Sequence, residues 1–278
     1  MSSATSTSHP KKTALATTPW NLDDTRVGWA QTVAGWFEVP YVERRGRSVA
    51  QLFRDEGSEI VIVADEPASL YHRDAPDEPL FFHPGMATQR IHALARGERD
   101  RMVEVSGLRR GDTALDATMG LGIDSLVMSH VVGPEGRVIG IESSWYLARL
   151  LELVKHRPPE KYGEVRELFA GLDIWCTDHA SYLSHLPDSS IDVIFFDPMF
   201  RLPPKSLSPL NRARPFTNKT PLSDDAWQQA KRVARRCVVL KERPGFGQFE
   251  RLRVKPDKSG GRFAFGVYQK EASRCFPT

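Results

Sequence analysis

The chain has 278 residues, 40% of them hydrophobic and 26% charged, which is ordinary globular composition and enough for one large domain plus a small one. No window approaches the roughly eighteen apolar residues of a membrane span, and the N-terminus has no apolar signal core. A formal net charge of +3 permits nucleic-acid binding without demanding it; Cys176, Cys237 and Cys275 are too dispersed for a disulfide framework or zinc knuckle, so a reducing cytosol fits.

In chain order, residues 1–19 are Ser/Thr-rich and predict a disordered tail. From Asp23 the pattern turns helical, with Val27, Ala30, Val33, Ala34 and Phe37 at three- and four-residue intervals until Pro40 stops it. An extended piece at Val39–Val42, a short helix around Ser48–Phe53 and a strand at Ile60–Val63 predict a small α/β domain over 20–98, closed by Leu80–Met86 and a helix at Ala87–Ala95. From 99 to 278 strand and helix alternate. Strands are expected near 113–116, 137–141, 172–177, 191–196 and 236–241, and helices near 124–132, 144–156, 164–170 and 224–235, an arrangement that argues for a parallel sheet covered on both faces. Two last candidate strands, Arg251–Lys255 and Arg262–Gln269, are separated by six residues, a spacing that predicts a hairpin.

Three strand ends carry the chemistry. Thr113–Asp116 runs into a small-residue turn, Ala117-Thr118-Met119-Gly120-Leu121-Gly122, and then a helix whose first turn holds Asp124. Glycines there let a ligand approach the backbone, although many α/β turns need glycine for packing alone. Twenty residues past Gly122, a second strand ends in Glu142-Ser143, where an α/β fold presents a carboxylate to ribose hydroxyls. A third, Ile191–Phe196, runs straight into Asp197-Pro198-Met199-Phe200.

These residues resemble the class I S-adenosylmethionine-dependent methyltransferases. Asp116–Gly122 is similar to that family's first motif, with Thr118 where a glycine is usual, and Glu142 matches its second acidic position. Asp197-Pro198-Met199-Phe200 resembles the Asp/Asn-Pro-Pro-Tyr/Phe signature of enzymes that methylate amino nitrogens. Together the two motifs are similar to the RsmJ-type guanine-N2 methyltransferases of small-subunit ribosomal RNA. The resemblance implies a Rossmann-like sheet of parallel strands ending in an antiparallel hairpin, with S-adenosylmethionine as cofactor and S-adenosylhomocysteine as product. It also implies a cytoplasmic enzyme acting on RNA. Asp116, Thr118, Gly120, Gly122 and Asp124 would face the amino-acid end of the donor, Glu142 and Ser143 its ribose, and Asp178 and His179 its adenine. Asp124 could equally serve the helix dipole, and Asp178 could be simple strand-end placement.

The catalytic expectation rests on Asp197. Methyl transfer from a sulfonium is a direct displacement, so an enzyme must mainly hold the acceptor in line and at short range. A guanine amine has its lone pair spread into the ring. Two acceptors on its hydrogens, the Asp197 carboxylate and the Pro198 carbonyl, would free that pair while Phe200 stacks on an unpaired base. The following segment has no acidic residue before Ser223 and carries Arg201, Lys205, Arg212, Arg214 and Lys219, suited to RNA phosphates or to an ordinary solvated lid. Lys241-Glu242-Arg243-Pro244 resembles an RsmJ-type Lys-Arg-Pro run, interrupted by Glu242. No histidine, cysteine or carboxylate spacing suggests a metal. Other amine acceptors in DNA, protein or a small molecule, or a non-catalytic binding module, remain open; a nicotinamide dehydrogenase would need a third loop glycine where Ser125 stands.

Overall fold

The computed structural model describes residues 13–21, 23–163, 165–198, 212–257 and 263–271. In chain order these form strand β1 (Ala14–Thr17), helices α1 (Asp24–Phe37) and α2 (Val49–Glu56), and strands β2 (Ile60–Val63), β3 (Ser69–His72) and β4 (Ala75–Phe81). Helices α3 (Gly85–Ala95) and α4 (Arg101–Ser106) lead to β5 (Thr113–Asp116), α5 (Ile123–Val132), β6 (Arg137–Glu142) and α6 (Trp145–His156). Then come α7 (Val165–Ala170), β7 (Leu172–Cys176), α8 (His179–Ser184), β8 (Ile191–Phe196), α9 (Asp224–Val233), β9 (Ala234–Glu242), α10 (Gln248–Arg251) and β10 (Ala264–Gln269).

The chain divides into two compact units. The first takes the described residues up to His83 together with Trp145–Tyr162 and residues 212–217. Its sheet runs β1-β2-β3-β4, with β1 parallel to β2 and the other pairs antiparallel. The four β-branched residues of β2 are buried on both faces, as a central strand requires. Leu15, Val49, Leu52, Phe53, Val61 and Val63 pack between α2 and one face of the sheet. Helix α2 opens on a capping box between Ser48 and Gln51 and stops at left-handed Gly57. One expectation is corrected: Ala14–Thr17, placed in a disordered tail, is a strand whose register on β2 pairs Leu15 with Val61. Four small or apolar residues behind a Ser/Thr-rich stretch carry little periodic signal, and it is pairing with β2 that buries them.

The second unit holds Pro84–Ser144, the described residues between Gly163 and Pro198, and those from Asn218 onward. Its sheet order is β10-β9-β8-β5-β6-β7. All neighbours are parallel except β10, which is antiparallel to β9. Strand β8 is buried at every position; Ile194 and Phe196 join Trp227, Ala230 and Val233 of α9 and Val238 and Leu240 of β9 in one core. Successive strands step outward from β5 through β6 to β7, then the order restarts at β8 on the other side. The crevice at the carboxyl ends of β5 and β8 is therefore a topological switch point, the position where open α/β sheets bind ligands.

The hairpin expected between Arg251–Lys255 and Arg262–Gln269 is a second correction. Residues Gln248–Arg251 are helical, and β10 pairs along its length with β9, Phe265 opposite Lys241, while the preceding segment contributes a single antiparallel bridge, Pro256 to Gly266. Phe249 and Leu252 sit three apart on the buried side of this turn, and Val254 follows them into the core. Gly266 of β10 admits them closely: a Cβ there would stand 2.5 Å from Val254 Cγ1 and 2.9 Å from Phe249 Cδ1. The antiparallel pair at the C-terminal end of the sheet is thus present with a different first strand.

Candidate active site

Asp116 ends β5 and is buried. One of its oxygens accepts the Ser125 hydroxyl at 2.6 Å and the other the Thr118 N–H at 3.3 Å. Burial, reinforced by the negative charge of Asp124, pushes its carboxyl up to about 7. The turn beyond it is pinned from two sides. Met119 N–H donates to the Ile141 carbonyl at 2.9 Å, and a Cβ on Gly140 would fall 2.3 Å from Met119 Sδ, so β6 needs a glycine where the turn crosses it. Gly120 and Gly122 both adopt left-handed backbone, φ 55° and 72°. The space in front of Gly120 is open, a Cβ there meeting only the Thr118 carbonyl oxygen at 3.9 Å.

Glu142 ends β6 with its carboxylate turned onto that loop. It accepts the Gly120 N–H at 2.9 Å and the Ser144 N–H at 2.7 Å, and the Ser143 backbone also donates to it. Burial pushes it up to about 7. Asp178 caps α8, one oxygen accepting Ala180 N–H at 2.9 Å and Ser181 N–H at 3.1 Å. The His179 ring meets the edge of Phe196 with centroids 5.6 Å apart, and desolvation lowers its pKa.

At the end of β8 the Asp197 N–H donates to Thr118 Oγ1 at 2.6 Å, tying the third strand end to the glycine loop. Its Oδ2 lies 2.5 Å from Lys241 Nζ. Its Oδ1 is buried and has no hydrogen-bond partner among the described residues. The β8–β9 register, Phe196 opposite Leu240, brings Lys241 beside Asp197. Lys241 also stands 3.6 Å from Asp124, whose other oxygen accepts Arg90 Nη1 at 2.5 Å. Arg90 in turn holds Asp100 at 2.7 Å. Burial pushes Asp197 up to about 6, with Lys241 restraining the rise. Against the same burial, Lys241 and Arg90 hold Asp124 below the usual carboxylate range.

The fold therefore gathers Asp116, Thr118, Gly120, Gly122, Asp124, Glu142, Ser143 and Asp197 at one sheet edge, with Pro198 directly following. Asp178 and His179 open the helix after β7 in the same unit. Phe200, Arg201 and Lys205 lie outside the described residues. Arg212 and Arg214 belong to the first unit, Arg212 exposed and Arg214 half-buried around a short turn whose Phe216 is buried. Arg90 was not among the expected site residues, and Lys241 was noted only as part of a motif. The signal for Lys241 was its position at the end of the apolar strand next to β8; Arg90 is one arginine among many on a helix and gave none. Among the described residues no group of three histidine, cysteine or carboxylate side chains could hold a metal, and no helix is long and apolar enough to cross a membrane.

The family model described as "Putative SAM-dependent methyltransferase" matches residues 48–269. The uncharacterized protein YpiP of Bacillus subtilis (strain 168) is 30% identical over 258 residues, 92% of this chain and 99% of YpiP. Ribosomal RNA small subunit methyltransferase J of Halorhodospira halophila is 31% identical over 174 residues, 60% of this chain and 61% of that protein. Among solved structures, a SAM-dependent methyltransferase from Neisseria gonorrhoeae superposes with a TM-score of 0.56 at 14% identity, covering 96% of this chain and 100% of that one, which shows the shared Rossmann-like fold. With four fifths of its length inside the family model, this chain belongs to the S-adenosylmethionine-dependent methyltransferases.

Proposed function

We propose that the protein transfers the methyl group of S-adenosylmethionine to the exocyclic N2 amine of a guanine in small-subunit ribosomal RNA. The observation that carries the reading is Asp197 Oδ1, a buried acceptor with no partner among the described residues, at the switch point and hydrogen-bonded through its backbone to the glycine loop. A buried polar oxygen left unsatisfied costs free energy and calls for a partner, and an amine N–H is a suitable one.

The residues around it fit the donor. The open face of Gly120 and the carboxylates of Asp116 and Asp124 suit an amino-acid ammonium, and Glu142 with Ser143 suits ribose hydroxyls once the carboxylate exchanges its Gly120 contact for the ligand. Asp178 and His179 suit the adenine amine and ring. When bound, the donor supplies a methyl group on a sulfonium, a neutral thioether leaving as the nitrogen–carbon bond forms. Asp197 and the Pro198 carbonyl hold the two amine hydrogens, so the nitrogen lone pair points at the methyl carbon. One N–H proton is lost as the bond forms, and Asp197, ionised at neutral pH, or water takes it. Phe200 stacks on the base, while Arg201, Lys205, Arg212 and Arg214 grip phosphates. An RNA acceptor is supported by the likeness to ribosomal RNA small subunit methyltransferase J and by the acid-free basic segment after Asp197. A ribosomal substrate also fits a cytoplasmic enzyme.

Nucleoside mass spectrometry of ribosomal RNA from cells with and without the gene tests this. The reading expects one N2-methylguanosine to vanish on deletion and to return with the wild-type gene but not with Asp197→Ala. An unchanged small-subunit RNA profile, or loss of a methyl group at carbon or ribose oxygen, would overturn it.

A further inference from the structure

We propose that Lys241 is a positioning residue for methyl transfer: it clamps Oδ2 of Asp197, keeping that carboxylate charged and turned so that Oδ1 takes the acceptor amine. This rests on the amine-methylation reading above.

The geometry is specific to the two oxygens. Lys241 Nζ sits 2.5 Å from Oδ2, whereas Oδ1 has no partner among the described residues. Lys241 is fixed in turn. Asp124 lies 3.6 Å from its Nζ on the far side, and the centroid of the Phe263 ring is 5.6 Å away. Arg90 holds Asp124, so cation and anion alternate in a row: Arg90 from α3, Asp124 from α5, Lys241 from β9, Asp197 from the end of β8. The side chains of Lys241 and Asp197 are 20% and 21% exposed, so water screens the pair weakly.

Without the lysine, Asp197 would face the like charge of Asp124 from α5, with the buried Asp116 carboxyl of β5 nearby and Arg90 beyond, inside a desolvated crevice. It would then hold a proton at neutral pH and lose acceptor capacity toward the amine. The pair supplies a charged acceptor that needs no counterion from the substrate.

Two measurements separate this proposal from the reading it rests on. The first follows the Asp197 carboxyl by carbon-13 NMR in protein labelled at aspartate, assigned with Asp197→Asn. The second records kcat/KM against pH for tritiated methyl transfer to unmodified small-subunit ribosomal RNA, free and assembled into subunits. Lys241→Met is expected to raise the Asp197 midpoint by about one pH unit or more, to move the acid limb of kcat/KM by the same amount, and to lower the rate at pH 7 about tenfold or more. Lys241→Arg should restore much of both, and affinity for S-adenosylhomocysteine should stay within about threefold, since Gly120 and Glu142 are untouched and Arg90 still holds Asp124. If wild type transfers methyl groups and Lys241→Met leaves both the midpoint and the acid limb in place, the clamp is overturned and the reaction stands. Should the midpoint move while wild type methylates neither form of the RNA, the reaction falls and takes the lysine's role with it.

Discussion

The hydroxyl of Thr118 accepts the backbone N–H of Asp197 at 2.6 Å. Thr118 stands where the resembled motif usually has a glycine, and its side chain adds a second link between the donor loop and the end of β8, beside the bond from the Ala117 N–H to the Phe195 carbonyl at 2.9 Å. Thr118→Val keeps the shape and removes the acceptor, leaving a half-buried N–H unsatisfied. Its expected cost is about 1–3 kcal/mol of stability together with a fall in kcat, whereas Thr118→Ser should remain near wild type in both. Urea unfolding alongside methyl-transfer kinetics checks this.

Gly140 is the point where β6 lets the loop cross it. Because Met119 is buried, it has little room to yield to a Cβ placed 2.3 Å from its sulfur. Gly140→Ala is expected to cost about 1–3 kcal/mol through overpacking and to weaken S-adenosylhomocysteine binding by displacing Met119 and Gly120. Gly28→Ala, a helical position with nothing within 4 Å of the added carbon, is the matched control and should bind as wild type. Isothermal titration calorimetry of the two variants decides it.

Much of this was readable beforehand. Asp116, Glu142 and Asp197 each follow an apolar run that can only be a buried strand, and alternation with helices places such ends along one edge. Other parts depended on tertiary pairing. Strand β4 contains Pro76 and Pro79 and survives only as an edge. The partner of β10 differs because Arg251–Lys255 looks extended locally, yet burial of Phe249, Leu252 and Val254 folds it into a turn, with Phe249 and Val254 against Gly266. Lys241 became a site residue only through the Phe196–Leu240 register.

Burial raises the Asp116 carboxyl to about 7 in the fold, well above its ordinary value near 3.8. The folded state therefore binds a proton more tightly than the unfolded chain, so this group's stabilisation is complete at low pH and is lost as pH rises through about 7. Asp116→Asn removes that loss. In guanidinium unfolding, the stability of the Asn variant relative to wild type should climb between pH 3.8 and about 7, the window bounded by those two values. A difference that stays flat across this range would mean that Asp116 is ionised throughout.

Arg90 holds Asp100 and Asp124 together, and Asp124 braces Lys241. Arg90→Met takes the cation from Asp100 and leaves Asp124 to Lys241 alone, and is expected to cost about 1.5–3 kcal/mol. It should also slow methyl transfer more than it weakens donor binding. Equilibrium unfolding and a comparison of kcat with KM separate the two effects.

The most direct measurement is single-turnover methyl transfer to unmodified small-subunit ribosomal RNA by Asp197→Ala saturated with the donor. The account predicts donor affinity close to wild type and a transfer rate lower by about a hundredfold or more. An Asp197→Ala rate within about threefold of wild type would be too small a loss for a group that holds the acceptor amine, and would contradict it.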